Sequence, residues 1–204
     1  MGTRERRERE RTALKQRILE AALEIATEEG WPAVTVRKVA DRVEYTAPAL
    51  YAHFESKDGI LQELVREGFG KLLALLQAAY GRTADPTARM VGLALAYCDF
   101  AWENRELYQV MHGLGGAACN LPGPPADLRP IGALLRDAVA AALAPASAAA
   151  LDLDTELDIH RATLYGLVAL AMDRRLPGGR ARCTRLVAQS TRDWLAAARA
   201  RIAG

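Results

Sequence analysis

Apolar residues recur every three or four positions along most of the chain, which is the spacing of one face of an α-helix. This spacing predicts helices over 12–29 and from Asp58 to about Tyr80, with two short helices between Thr35 and Phe54. The later helices are predicted at Pro86 to His112 with a break near Asn104, 130–143, 155–174 and 180–202. No run of alternating β-branched residues indicates a strand. The pattern therefore predicts an all-α protein of about nine helices.

The two short helices between Thr35 and Phe54 are separated by a tight turn at Glu44 and Tyr45. Thr35 and Thr46 stand where helix-capping residues belong, since a threonine hydroxyl accepts a hydrogen bond from a free backbone N–H. Two short helices around such a turn form a helix-turn-helix, whose second helix enters the major groove of DNA. The stretch therefore predicts a DNA-binding element.

The same stretch resembles the amino-terminal domain of the TetR/AcrR family of transcriptional repressors. The resemblance is carried in register by Gly30, Trp31, Val34, Thr35, Val36, Val39, Ala40, Thr46, Leu50, Tyr51, Phe54 and Lys57. It implies a helix-turn-helix domain over 1–57, and a helical ligand-binding and dimerisation domain over 58–204. It also implies a homodimer that binds double-stranded operator DNA, and a small-molecule effector that releases the DNA.

The resemblance implies that Thr35, Tyr51 and Lys57 contact the DNA backbone. Arg37 has the chemistry to offer a guanidinium fork to a guanine or to bind a phosphate. The remaining candidates for DNA contact are Thr46, Ala47 and Ala49 towards base edges, and His53 towards a phosphate. Two other interpretations stay open, namely that Tyr51 belongs to the core and that Arg37 and Lys38 are an ordinary solvated face.

The recognition element departs from the family pattern in two ways. Glu44 stands where relatives have a small residue, most often glycine, and a left-handed Glu44 would cost about 1 kcal/mol. The second short helix carries alanine and proline where relatives often have polar residues, so direct base reading is expected to be sparse. These departures leave open an alternative, a helical ligand-binding or enzymatic protein of the same fold that has lost specific DNA binding.

Composition and charge narrow the class of protein. The net charge is +2, and residues 1–57 and 58–204 each carry +1. Any DNA-binding face must therefore arise from the local arrangement of basic side chains. Residues 1–11 alternate arginine and glutamate, which indicates a partly disordered tail or, alternatively, a basic arm. Three widely spaced cysteines and three scattered histidines predict no disulfide framework, metal site or cofactor. No membrane segment or signal peptide is indicated, so a cytoplasmic protein without a catalytic site is expected.

The middle helices carry aromatic and sulfur-containing residues that could line an apolar cavity with a few polar tips. They are Tyr97, Phe100, Trp102, Tyr108, Met111, His112, Tyr165 and Met172. A plain core is the alternative for each residue, and a small apolar or aromatic effector is expected if they form a pocket. The stretch from Gly113 to Pro130, rich in glycine and proline, is either a flap over that pocket or a surface loop.

The last two helices have more apolar surface than one chain can cover, which predicts a four-helix bundle between two copies. The predicted contact residues are Leu164, Val168, Leu186, Val187, Ser190, Trp194 and Ala198. This part of the chain also resembles a carboxy-terminal domain type of the family marked by a Trp-His-Gly triplet. Here the triplet is replaced by Leu164-Tyr165-Gly166.

Overall fold

The computed structural model describes residues 2–117, 128–143 and 151–203. Within these ranges there are nine α-helices, a short 3-10 turn at Trp31–Ala33 and no strand, so the predicted all-α class is confirmed. The helices are α1 Thr3–Glu29, α2 Val36–Arg42, α3 Ala47–Tyr51, α4 Lys57–Tyr80, α5 Pro86–Glu103, α6 Arg105–Met111, α7 Leu128–Leu143, α8 Leu153–Met172 and α9 Gly179–Ala203.

Capping side chains explain where several helices begin. The carboxylate of Asp85 accepts hydrogen bonds from the backbone N–H groups of Thr87 and Ala88 at the start of α5. Asp152 does the same for Asp154 and Thr155 at the start of α8. Each carboxylate satisfies N–H groups that have no partner inside the helix, and its negative charge suits the positive end of the helix dipole.

Helix α1 begins at Thr3 rather than at the predicted Thr12, so the segment predicted as a disordered tail is helical in the structure. An ion pair of 3.1 Å joins Arg6 to Glu10 one turn later, and both side chains remain exposed. Arginine and glutamate are good helix formers, and such pairs add a few tenths of a kcal/mol each. Residues 3–11 need no buried face, because they extend a helix that is anchored by buried residues further along α1.

One compact unit contains the described residues of 2–69 and 105–117. Helix α1 packs on α2, on α6 and on the turn around Trp31, and α2 packs on α3. The core of this unit is formed by Ile18, Leu19, Ile25, Trp31, Val39, Leu50, Ile60 and Leu64, all of which are buried. Helix α1 therefore supports α2 directly, and α3 through α2.

The other compact unit contains the described residues of 70–104, 128–143 and 151–203. Helix α9 packs on α5, α7 and α8, and α5 packs on α7 and α8. Helix α4 thus contributes residues to both units, and the division between them lies after Phe69. The functional boundary predicted after Lys57 stays a prediction.

Candidate nucleic-acid interface

The turn between α2 and α3 has a backbone that few residue types adopt without cost. Thr35 caps α2 as predicted, since its hydroxyl accepts a 3.2 Å hydrogen bond from the backbone N–H of Lys38. Helix α2 ends at Arg42, and Glu44 then adopts a φ of 60°. The N–H of Tyr45 closes the turn by donating to the carbonyl of Ala40 at 3.0 Å. Glu44 is therefore in the left-handed conformation that favours glycine.

Thr46 precedes α3 as predicted, but its hydroxyl makes no capping hydrogen bond. The prediction that the Thr46 side chain caps α3 is wrong, because its backbone carbonyl receives the N–H groups of Ala49 and Leu50 instead. The side chain of Thr46 is exposed. Its hydroxyl therefore has both its donor and its acceptor capacity available to a partner outside the protein.

Helix α3 buries Leu50 completely and exposes the opposite side. Tyr51 is 52% exposed, which excludes the interpretation of this residue as a core aromatic. Pro48 and Ala52 are also exposed, whereas the predicted contact residues Ala47 and Ala49 are only half-buried. The outward surface of α3 therefore offers one phenol and otherwise small apolar groups. Few polar side chains of α3 are available to hydrogen-bond with DNA bases.

The basic residues of α2 differ in whether the protein already neutralises them. Lys38 forms an ion pair with Glu29, and Arg42 lies 2.6 Å from a carboxylate oxygen of Glu28 and 3.3 Å from one of Glu24. The hydrogen bond from Arg42 holds the pKa of Glu28 below its ordinary value.

Arg37 is exposed and forms no ion pair with any described residue. It is thus the basic side chain of α2 whose charge is left for an outside partner.

Lys57 and His53 are held in different surroundings. The ammonium group of Lys57 donates a 3.2 Å hydrogen bond to the carbonyl of Trp31, which fixes its position at the start of α4 without neutralising its charge. His53 is half-buried and lines a polar cleft of about 400 Å³. The cleft is otherwise lined by Glu8, Arg11, Thr12, Lys15, Gln16, Glu63, Arg66 and Glu67.

Tyr45 is a further exposed group that the sequence argument did not select. Its ring is 43% exposed in the turn before α3, with the guanidinium carbon of Arg17 at 5.9 Å from the ring centre. Arg17 is itself fixed by a 3.1 Å hydrogen bond to the carbonyl of Val43. In the sequence, the position of this large aromatic residue in a tight turn next to α3 was the signal that could have identified it as a candidate contact residue.

The residues predicted to line a ligand pocket are divided between the two units. Tyr97, Phe100, Trp102, Tyr165 and Met172 belong to the unit of α5, α8 and α9. Tyr108, Met111 and His112 belong to the unit of the helix-turn-helix, where the Tyr108 and His112 ring centres lie 4.3 Å apart. Phe100, Tyr108, Met111 and Met172 are buried. The predicted flap lies in part outside the described residues, which resume at Leu128.

The residues predicted to contact a second copy are mostly covered within the single chain. Leu164, Val168, Val187 and Ala198 are buried, and Leu186, Ser190 and Trp194 are half-buried. The large apolar side chains that α8 exposes are instead Ile159, at 54%, and Leu170, at 39%. The periodicity of apolar residues identified these helices, but it could not show which side of each helix is buried within the single chain.

The described ranges, 2–117, 128–143 and 151–203, also bear on metal binding and on membrane insertion. They contain no group of three or more histidine, cysteine, aspartate or glutamate side chains that could hold a metal ion. Among the same residues, no helix has the length and apolar character needed to cross a membrane.

Comparison with known sequences identifies both parts of the chain. Residues 18–64 match the family of bacterial regulatory proteins known as the tetR family, and 90–194 match the tetracyclin repressor-like C-terminal domain. The transcriptional repressor KstR2 of Mycobacterium tuberculosis is 37% identical over 79 residues, which are 39% of this chain and 40% of that protein. The chain thus spans about two-fifths of the length of that curated relative.

Longer alignments extend the similarity beyond the helix-turn-helix. The transcriptional activator FasR of Mycolicibacterium smegmatis is 25% identical over 158 residues, covering 76% of this chain and 68% of that protein. A solved protein of unknown function from Rhodococcus sp. RHA1 has the same fold, with a TM-score of 0.69 at 24% identity over 90% of this chain and 94% of the other. The second matched domain alone covers about half of the chain. The chain therefore belongs to the TetR family of DNA-binding transcriptional regulators.

Proposed function

We propose that this protein is a ligand-responsive repressor that binds a palindromic operator as a homodimer. The observation that carries the proposal is the selective neutralisation of the α2 cations. Lys38 and Arg42 are paired with glutamates of α1, whereas Arg37 is exposed and unpaired among the described residues. The charge of Arg37 is therefore available to a DNA phosphate or to a guanine edge.

Contacts with the DNA backbone are proposed for five side chains around the helix-turn-helix. Tyr51 and Thr46 present free hydroxyl groups, and Lys57 and Arg37 present charges suited to phosphate oxygens. The hydroxyl oxygen of Thr35 accepts the capping hydrogen bond of α2, and its hydrogen can still be donated to a phosphate. Ala47 and Ala49 supply methyl groups for thymine, and His53 supplies a further polar group at the end of α3.

Dimer formation is proposed through the exposed side of α8. Ile159, Thr163, Gly166 and Leu170 follow one another at intervals of three or four residues and are exposed or half-buried. They form a stripe of two large apolar residues separated by small ones, which lets a second helix approach closely. The buried Leu164 and Val168 support this stripe from the inner side of the same helix.

The dimer proposal predicts a change of mass in solution. Ile159→Glu combined with Leu170→Glu should convert a dimer to a monomer in sedimentation or light scattering at micromolar concentration. Arg161→Glu, an exposed change on the same helix, should leave the mass unchanged. A double variant that stays dimeric would place the interface elsewhere.

Release by an effector is proposed to act through α4. Helix α6 approaches α4 so closely that a Cβ atom added at Gly68 would clash with the sulfur of Met111. A movement of α6 would therefore move the first half of α4, which begins at Lys57. An effector that favours the moved state must weaken DNA binding by the same factor by which DNA weakens effector binding.

A salt-titrated mobility shift tests the DNA-binding function. The full chain is incubated with a duplex covering the region upstream of its own gene and with a scrambled duplex of the same length. We expect retardation that is specific for the first duplex and that weakens steeply with salt, because binding releases counterions. Absence of retardation at low salt would favour the alternative, a ligand-binding or enzymatic protein that has lost DNA binding.

Effector response is tested by adding apolar and aromatic probes, such as decanoic acid and phenol, to the protein–DNA complex. A true effector should raise the melting temperature of the free protein and lower its affinity for DNA in the same concentration range. A compound that does only the first binds without regulating. A reporter gene behind the same upstream region then distinguishes a repressor from an activator, since deletion of the regulator raises expression in the first case.

A further inference from the structure

Two cysteines far apart in the sequence meet inside the unit of α5 and α9. The sulfur atoms of Cys98 on α5 and Cys183 on α9 lie 3.9 Å apart, and both side chains are fully buried as free thiols. These two cysteines are 85 residues apart in the sequence, where the wide spacing of the cysteines predicted no disulfide framework. The packing of α5 against α9 is what brings them together.

The surroundings of Cys98 favour its thiolate. The hydrogen bond with Cys183 is the main cause that lowers the pKa of Cys98 to about 7, and Thr184 and Trp102 lower it further. Cys183 is correspondingly the partner that keeps its proton, and its pKa is raised by the hydrogen bond with Cys98. The indole N–H of Trp102 is buried without a hydrogen-bond partner, and its position near the Cys98 sulfur helps to lower the pKa of that thiol.

The start of α9 is the place where local opening of the helix would admit a small oxidant. Cys183 lies in the second turn of that helix, after Gly178 and Gly179, which adopt φ values of 87° and 50°. An exposed ion pair of 3.1 Å between Arg180 and Asp99 is the neighbouring contact of α9 with α5. Helix ends open more easily than helix centres, and an exposed ion pair adds little to hold them.

We propose that Cys98 and Cys183 are an oxidant-responsive dithiol, which a hydroperoxide converts to an intramolecular disulfide between α5 and α9. The Cys98 thiolate attacks one peroxide oxygen, and the O–O bond breaks to give a sulfenic acid and hydroxide. The Cys183 sulfur then attacks the sulfenic sulfur, and the released hydroxide takes the thiol proton as water. In total, two thiols and one hydrogen peroxide give one disulfide and two waters.

The geometry requires only a small movement. The sulfur atoms must approach by about 2 Å to reach the S–S bond length of about 2.05 Å. The product would close a long loop of the chain and join two helices that already pack together. It would therefore stabilise this unit against unfolding, through the loss of conformational freedom in the unfolded chain.

The test uses the folded full-length chain carrying Cys119→Ser, so that the third cysteine cannot compete, with the unchanged chain mapped in parallel. After treatment with hydrogen peroxide we expect a cross-linked peptide pair containing Cys98 and Cys183, lighter by two hydrogens. The melting temperature should rise by about 5–15 °C and return on addition of dithiothreitol. Adding Cys183→Ser should abolish both changes.

Two results would overturn the proposal. One is that both thiols stay reduced in the folded protein under peroxide exposure that oxidises them after denaturation. The other is that Cys98 reaches the sulfinic acid while Cys183 remains a free thiol. Trp102→Phe supplies a separate check, since loss of the indole donor should slow cross-linking near neutral pH without preventing it. None of these measurements involves DNA, so the proposal stands or falls independently of the proposed function.

Discussion

Replacing His160 with phenylalanine tests the origin of acid sensitivity in the unit formed by α5, α7, α8 and α9. The His160 side chain is only 5% exposed, and neither ring nitrogen has a hydrogen-bond partner. Its ring is stacked on that of Trp194, with centres 4.3 Å apart and planes inclined by 8°. Burial lowers the pKa of His160 from 6.5 to about 4, because the charged form cannot be hydrated there.

The size of the effect follows from this pKa. The unfolded chain binds a proton at His160 below about pH 6.5, whereas the folded chain does so only near pH 4. Above pH 6.5 His160 is neutral in both states and does not affect the pH dependence of the free energy of unfolding. As the pH falls from 6.5 towards 4, the unfolded chain takes up the proton first and the free energy of unfolding decreases. At about 1.36 kcal/mol per pKa unit, the loss amounts to about 3 kcal/mol.

Urea unfolding at a series of pH values and a fixed protein concentration measures this loss. His160→Phe keeps an aromatic ring to stack on Trp194 and removes the titrating group. The free energy of unfolding of the variant minus that of the natural chain should be about 3 kcal/mol larger at pH 4 than at pH 6.5. His53→Phe is the matched control and should retain the loss, because His160 is intact. A difference between the natural chain and His160→Phe that is the same at both pH values would refute the reasoning.

Three further predictions concern the helix-turn-helix unit and are checked by chemical unfolding. Glu44→Gly should raise the free energy of unfolding by about 1 kcal/mol, because it relieves a φ of 60°, and an unchanged value would contradict the strain. Gly68→Ala should lower it by about 1 kcal/mol through the clash with Met111, whereas Gly70→Ala, with open space around it, should not lower it. Glu63→Gln should cost about 1 kcal/mol at neutral pH. Arg66 and then Lys15 lower the pKa of Glu63 from 4.5 to about 2, so that difference should fade as the pH falls between these values.

Local chemistry allowed much of the fold to be predicted from the sequence. The cap at Thr35 is confirmed, as is the break between α5 and α6 at Asn104. These features depend on a few neighbouring residues, whose hydrogen bonds are the same in any protein. The start of α1 was missed because the prediction required a buried face, and residues 3–11 need none.

Features that depend on distant residues could not be predicted. The contact between Cys98 and Cys183 arises only when α5 packs on α9. The distinction between Arg37 and Lys38 depends on Glu29, which α1 brings to the start of α2. The side of α8 that stays exposed at Ile159 is likewise decided by which helices cover the other sides.

The most direct test of the proposed DNA-binding surface compares Arg37→Ala with Lys38→Ala on the duplex upstream of the gene. Fluorescence anisotropy over a range of salt concentrations gives the affinity and its salt dependence for each chain. Arg37→Ala should weaken binding by about 1–3 kcal/mol, or about 5-fold to 150-fold, and a phosphate contact would also reduce the salt slope by about one. Lys38→Ala should stay within about threefold of the natural chain, because Glu29 already neutralises that charge. Equal losses from the two variants, or no loss from Arg37→Ala, would contradict the account.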